Sequence, residues 1–187
     1  MLACYYKKEE RIYYEVGKAM DFRFRVRAAA IILNEARELL LVLHRNPLTA
    51  EEWWTPPGGG LGSRESASET IIREVQEECG IKCRPGKLVY VREFLGGTEK
   101  CVHHVELYFL AEAEHYQIQT GSDPEIEKQF IIEARFLSRK EIEKSKINVF
   151  PEVLKDSFWD DLESGFTGHT VYLGLRDPKG IERISIN

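Results

Sequence analysis

No apolar run in this 187-residue chain approaches the ~20 residues needed to cross a bilayer as a helix. The longest, Ala28 to Leu33, is strand-sized, so no membrane partner is expected. The first residues lack the basic-then-apolar layout of a signal peptide, and the expected location is cytoplasmic. Cysteine is sparse: Cys4, Cys79, Cys83 and Cys101 show no C-x-x-C spacing and read as reduced thiols. A zinc site from Cys101, His103 and His104 is disfavoured, because on a strand His104 faces away from the other two. Basic excess is missing as well. With 26 Lys and Arg against 31 Asp and Glu, the net charge of -5 gives no basic surface for a nucleic-acid polymer. Neither internal repeats nor low-complexity tracts divide the chain. What remains is an ordinary globular composition, 43% hydrophobic and 30% charged, at a length suited to one domain.

Against that background one stretch stands out, Gly59 to Ile81, GGLGSRESASETIIREVQEECGI. Ser66 followed by Glu69 is a capping box that starts a helix, and Gly80 is a left-handed stop. At about 100° per residue, Glu74, Glu77 and Glu78 share an arc of about 100°. Ile71, Ile72, Val75 and Cys79 fill the adjoining arc, the predicted buried stripe. Each like-charge pair at this spacing costs roughly 0.2–0.5 kcal/mol in an isolated helix, and more beside a desolvated face. A divalent cation removes that penalty. Clustered hard oxygen donors suit Mg²⁺, with Mn²⁺ as the alternative.

The spacing is also specific. Gly59, five residues, Glu65, seven residues, then Arg73-Glu74-Val75-x-Glu77-Glu78-x-Gly80-Ile81 fills every fixed position of the Nudix box. On these residues the chain resembles the Nudix (MutT-like) hydrolases over roughly residues 25–163. The resemblance implies an α/β fold, an α/β/α sandwich with a mixed sheet. It implies that Glu74, Glu77 and Glu78 bind metal, that Arg73 orients a box carboxylate, and that Glu65 supports the site. By the same resemblance the Gly58 carbonyl completes the metal site, and Gly59 and Gly60 let backbone approach the phosphates. Gly62 and Arg64 depart from the acidic residue and glycine often found there. The implied chemistry is hydrolysis of the diphosphate linkage in a nucleoside diphosphate derivative or nucleoside triphosphate, a small-molecule nucleotide substrate. Metal ions would neutralise the crowded phosphate charge and activate water. A contrasting class is a sensor or regulatory Nudix domain that binds nucleotides without cleaving them. Such proteins typically carry a broken box, whereas this one is complete.

Around the box, Val26–Leu33 and Leu39–His44 read as strands, and Lys87–Leu95 and Cys101–Glu112 as two more, with Val105, Leu107 and Phe109 alternating with Glu106, Tyr108 and Leu110. Phe130–Leu137 is a further strand, Ser138-x-x-Glu141 starts a short helix, and Pro151–Glu163 reads as one helix. Residues 1–24 form an aromatic, charged extension, a hairpin or an arm on a partner subunit of a homodimer. Residues 164–187 form a C-terminal extension packed on the domain. Trp53 and Trp54 point opposite ways on an extended segment, one into the core and the other free to stack a base or cover a loop. The general base is sought on the loop before the last core strand, with Glu127 favoured over Glu125 and Glu133. Substrate identity is not specified: Gly96, Gly97 and Thr98 stand where ADP-ribose enzymes often carry proline and dinucleoside polyphosphate enzymes tyrosine.

Overall fold

The computed structural model describes residues 23–96, 102–121 and 130–176. The expected arm at the N-terminus, Cys101, Glu125 and Glu127 lie outside the described residues. Along the chain run β1 (Arg23–Ile31), β2 (Leu39–Arg45), β3 (Glu52–Thr55), β4 (Gly58–Gly60), α1 (Ala67–Cys79), β5 (Cys83–Gly96) and β6 (Val102–Ala113). These are followed by β7 (Ile131–Leu137), α2 (Arg139–Lys144), β8 (Asn148–Val149), a 3-10 turn (Glu152–Lys155), α3 (Phe158–Glu163) and β9 (Val171–Arg176). Two mixed sheets result, in the orders β4-β1-β6-β5-β9 and β7-β2-β3-β8. The long central pair β1 and β6 is parallel, while β4 lies antiparallel on the other side of β1.

Strand alternation divides the core in two. Ala29 and Ile31 of β1, with Leu39 and Leu41 of β2, face Ile142, Leu154, Phe158 and Trp159. Ala28 and Ala30 of β1, with Leu40 and Val42 of β2, face Ile71, Val75 and Cys79 of α1. Helices therefore cover both sides, the expected α/β/α layering. Ile71 and Val75 are wholly buried, and each contributes about 1.5–3 kcal/mol, which pins α1 at one rotation about its axis. That rotation sets where the glutamates point.

Three expectations need correcting. Ile72, at the far edge of the predicted stripe of α1, is 45% exposed and stays outside the core. Pro151–Glu163 is not one helix: the 3-10 turn and α3 are separated at Asp156, whose φ of -133° and ψ of -113° are not helical. The Trp159 indole donates to the Leu154 carbonyl at 2.9 Å, taking an acceptor that a continuous helix would use internally. On β6 the alternation is present, but the deepest positions are Glu106 and Tyr108, not the aliphatic set. Glu106 is buried because arginines on both neighbouring strands meet it. Beyond α3, β9 pairs parallel with β5, and Thr170 Oγ1 donates to the Leu88 carbonyl at 2.8 Å.

Candidate active site

The site is built from α1 and the glycine strand β4. At the helix start, Ser66 Oγ accepts from the Glu69 amide at 3.3 Å while the Ser66 amide donates to Glu69 Oε2 at 2.8 Å. At its end Gly80 adopts φ 68°, the left-handed region that glycine enters without cost. With both ends fixed, Glu74 and Glu78 are 8% and 4% exposed, facing β4 rather than solvent.

Glycine is what permits this approach. A Cβ on Gly59 would stand 1.9 Å from Glu74 Oε1, and one on Gly58 would stand 2.2 Å from the Ala28 carbonyl oxygen. The Gly58 amide donates to Glu78 Oε2 at 2.9 Å. Arg73 then ties the acids together. Its Nε and Nη2 grip Glu65 at 2.9 Å each, and its Nη1 donates to Glu74 at 2.8 Å and Glu77 at 3.1 Å. Its Nη2 also reaches the Gly60 carbonyl at 3.4 Å, so guanidinium and glycine strand are joined directly. Glu65 is held at a pKa of about 2 by hydrogen bonds from Arg73. Glu74 moves the other way: burial raises its pKa, and Arg73 offsets this only in part. One cation thus serves three carboxylates, with a fourth, Glu78, beside them.

These are all-oxygen donors on a rigid frame, the chemistry a hard divalent ion takes. Among the described residues no three acidic, histidine or cysteine side chains converge on one point. Arg73 holds Glu74 and Glu77, and Gly58 N–H holds Glu78. The donor set fits a hard cation in chemistry, and binding would draw the carboxylates from these partners. Gly58 presents its amide, not its carbonyl, to Glu78. The carbonyl accepts from Arg27 Nη2 at 2.8 Å.

The tryptophans separate as their alternation requires. Trp54 is 4% exposed, in the core with the Arg135 guanidinium 5.4 Å over its ring, and offers no free face. Trp53 is half-buried and stacks on His44 at 5.6 Å with 9° between the rings. Glu133 sits on β7, 3.5 Å from Arg135. Phe150 lies under two arginines that the sequence does not associate with it. The guanidiniums of Arg176 and Arg92 lie 4.4 Å and 5.5 Å from its centre, and both arginines line a cavity of about 290 Å³ with Glu152 and Leu173. Nothing local signals this, because Arg92, Phe150 and Arg176 come from three separate segments.

A family model described as a NUDIX domain matches residues 23–156. The chain belongs to the Nudix family. It is 30% identical over 81 residues to a CMP-5'-(N-acetyl-N-hydroxy-3-aminopropyl)phosphonate hydrolase of Streptomyces rubellomurinus, covering 43% of this chain and 39% of that protein. It is 33% identical over 103 residues to an asymmetrical bis(5'-nucleosyl)-tetraphosphatase of Sus scrofa, covering 51% of this chain and 64% of that one. The chain thus spans less than two thirds of the length of these curated relatives. A MutT protein of Methanosarcina mazei superposes with a TM-score of 0.60 at 25% identity, over 80% of this chain and 100% of that one. A NUDIX hydrolase of Nitrosomonas europaea does so at 0.61 and 21% identity, over 76% and 90%, a likeness of Nudix fold alone. No helix among the described residues is long and apolar enough to cross a membrane.

Proposed function

We propose that this chain hydrolyses the phosphoanhydride linkage of a nucleoside diphosphate derivative or nucleoside triphosphate, using Mg²⁺ or Mn²⁺ held by Glu74, Glu77 and Glu78. The observation that carries this reading is the contact of α1 with β4, where Gly59 leaves room for Glu74 and the Gly58 amide meets Glu78. When bound, the ion would neutralise phosphate charge and act as a Lewis acid at the scissile phosphorus. The protein supplies the rest. Arg73 pairs with Glu74 and Glu77 and aims them along one face of the helix. Gly59 and Gly60 expose backbone that phosphate oxygens can approach without meeting a Cβ. The relatives named above act, by their names, on compounds carrying a nucleotide, which favours the same class here.

For the group beyond the phosphates, Trp53 is the better candidate of the tryptophan pair, because the Trp54 ring is enclosed.

The test is release of phosphate or nucleotide from a panel of nucleoside triphosphates, ADP-ribose and dinucleoside polyphosphates, with Mg²⁺, with Mn²⁺ and with EDTA. Metal-dependent cleavage of at least one compound is expected, and Glu78→Gln should lose it. Saturable nucleotide binding with no cleavage anywhere in the panel would overturn hydrolysis in favour of a regulatory binding domain.

A further inference from the structure

One row of side chains crosses the sheet beneath the site, and none of it belongs to the box. Arg27 of β1 is the register partner of Glu106 on β6, and Glu106 is the register partner of Arg92 on β5. The row on its core side, Ala29, Tyr108 and Tyr90, is wholly buried core. Apolar side chains would continue that core without desolvating charge, and buried ion pairs are often no more stabilising than such replacements. The charged row therefore calls for a reason other than stability.

Its hydrogen bonds supply one. Arg27 Nη2 donates to the Pro56 carbonyl at 2.9 Å and to the Gly58 carbonyl at 2.8 Å, while the Ala30 amide takes the Pro57 carbonyl between them at 2.9 Å. Arg27 Nη1 has no hydrogen-bond partner among the described residues and stands 3.8 Å from Glu106 Oε1. The directional bonds of Arg27 thus go to the glycine strand, and its charge goes to the sheet. Glu106 is a fixed anchor: Tyr108 Oη donates to it at 2.6 Å, and Arg92 Nε lies 2.9 Å away. Arg92 is braced in turn by Glu152 at 2.9 Å.

We infer that Arg27, anchored by Glu106, is a positioning residue that fixes the Pro56–Gly58 backbone so that the Gly58 amide meets Glu78 and Gly59 meets Glu74. Loss of the guanidinium frees two carbonyls on either side of Pro57. The chain then shifts at the point that sets the distance from the glycine strand to the carboxylates of α1. A catalytic consequence rests on the hydrolase reading above, but the positional one does not.

The experiment compares wild type with Arg27→Met, which keeps the stem and removes the charge, and with Arg27→Lys, which keeps the charge but not the fork. Glu106→Gln removes the anchor's charge. Two readouts are independent of turnover: amide hydrogen exchange at Gly58 by NMR, and Mn²⁺ affinity by calorimetry. In Arg27→Met, Gly58 exchange should accelerate at least tenfold, and the Mn²⁺ Kd should rise at least fivefold. Glu106→Gln should move both in the same direction by less. On a cleaved substrate, kcat should fall more than KM rises, and methylguanidinium should restore part of the kcat of Arg27→Ala. If Arg27→Met does not fold, Arg27→Lys carries the comparison, with at least a threefold change expected in each readout. A folded variant with a lower Tm but with Gly58 exchange and Mn²⁺ affinity within twofold of wild type overturns the inference and makes the row structural. If wild type binds no Mn²⁺ and cleaves nothing, the hydrolase reading fails, and Gly58 exchange alone still decides the role of Arg27.

Discussion

Replacing Gly59 by alanine tests the geometry of the site with one carbon atom. The added Cβ would lie 1.9 Å from Glu74 Oε1 and 2.3 Å from its carboxyl carbon. Reaching an ordinary contact of 3.4 Å requires the carboxylate to move by about 1.5 Å. Gly59 does not occupy the left-handed region, so the backbone accepts alanine and the displacement falls on the glutamate. Glu74 would lose its bond from Arg73, a partly exposed charge-assisted pair at the lower end of about 1.5–3 kcal/mol. For a domain of this size that lowers Tm by about 3–6 °C, and the protein stays folded at 25 °C. Activity is more sensitive. A misplacement of about 1 Å at a reacting centre can cost 100-fold, so kcat should drop by about two orders of magnitude. The assay is steady-state turnover at saturating Mg²⁺ beside a thermal melt. Gly168→Ala is the control, because a Cβ there meets nothing within 4 Å. A Gly59→Ala enzyme with kcat within threefold of wild type would refute the claim that glycine is there to admit Glu74.

Other outcomes follow from the same contacts. Glu78→Gln retains an acceptor for the Gly58 amide, so Tm without metal should hold within a few degrees while turnover falls at least 100-fold, about 3 kcal/mol in barrier. Glu65 has a folded pKa depressed to about 2, so its pairing with Arg73 stabilises above the usual carboxylate range and is lost as pH falls toward 2. The Tm difference between wild type and Glu65→Gln should therefore be full at pH 6 and shrink steadily below pH 4.5; a constant difference would contradict it. Burial depresses the His44 pKa to about 3, and its imidazole Nε2 has no partner among the described residues. A depressed histidine stabilises the fold above its unfolded pKa and loses that contribution as pH falls, here from about 6.5 toward 3. His44→Phe should flatten acid destabilisation in that window, read by urea melts at pH 7 and pH 4. Tyr90→Phe removes the hydroxyl that bonds Asp161 at 2.5 Å and should cost about 1 kcal/mol in the same melts, with turnover unchanged.

What the sequence discloses here is what local physics decides. The capping box, the glycine stop and the 3.6-residue period act within one helix, so the bounds of α1 and its carboxylate arc can be read from Ser66 to Gly80 without tertiary knowledge. The layering is legible for the same reason, since apolar alternation along β1 and β2 already assigns each side chain to one of two cores. Where the reading stopped, two distant segments had to be set in register. Arg27 and Glu106 look like solvated charges on their own strands, and only the parallel pairing of β1 with β6 makes them neighbours. Phe150 gave no signal because its partners Arg92 and Arg176 arrive on β5 and β9.

The two classes of residue divide the work at the site. Box residues, close in sequence, fix which acids share a face of α1, and that face is set by the burial of Ile71 and Val75. They do not fix the distance from that face to the glycine strand. This second quantity depends on how β4 lies on β1, and β4 is only three residues long, too short to hold itself by its ladder bonds. A strand of glycines brings no side chains that could pack it in place. Its position must be imposed from outside, through bonds to its backbone. The described residues that do so with side chains are Arg73 and Glu78 from the helix and Arg27 from the sheet. The glycines admit the acids, and the freedom that makes this possible is what obliges the sheet to supply a buried arginine.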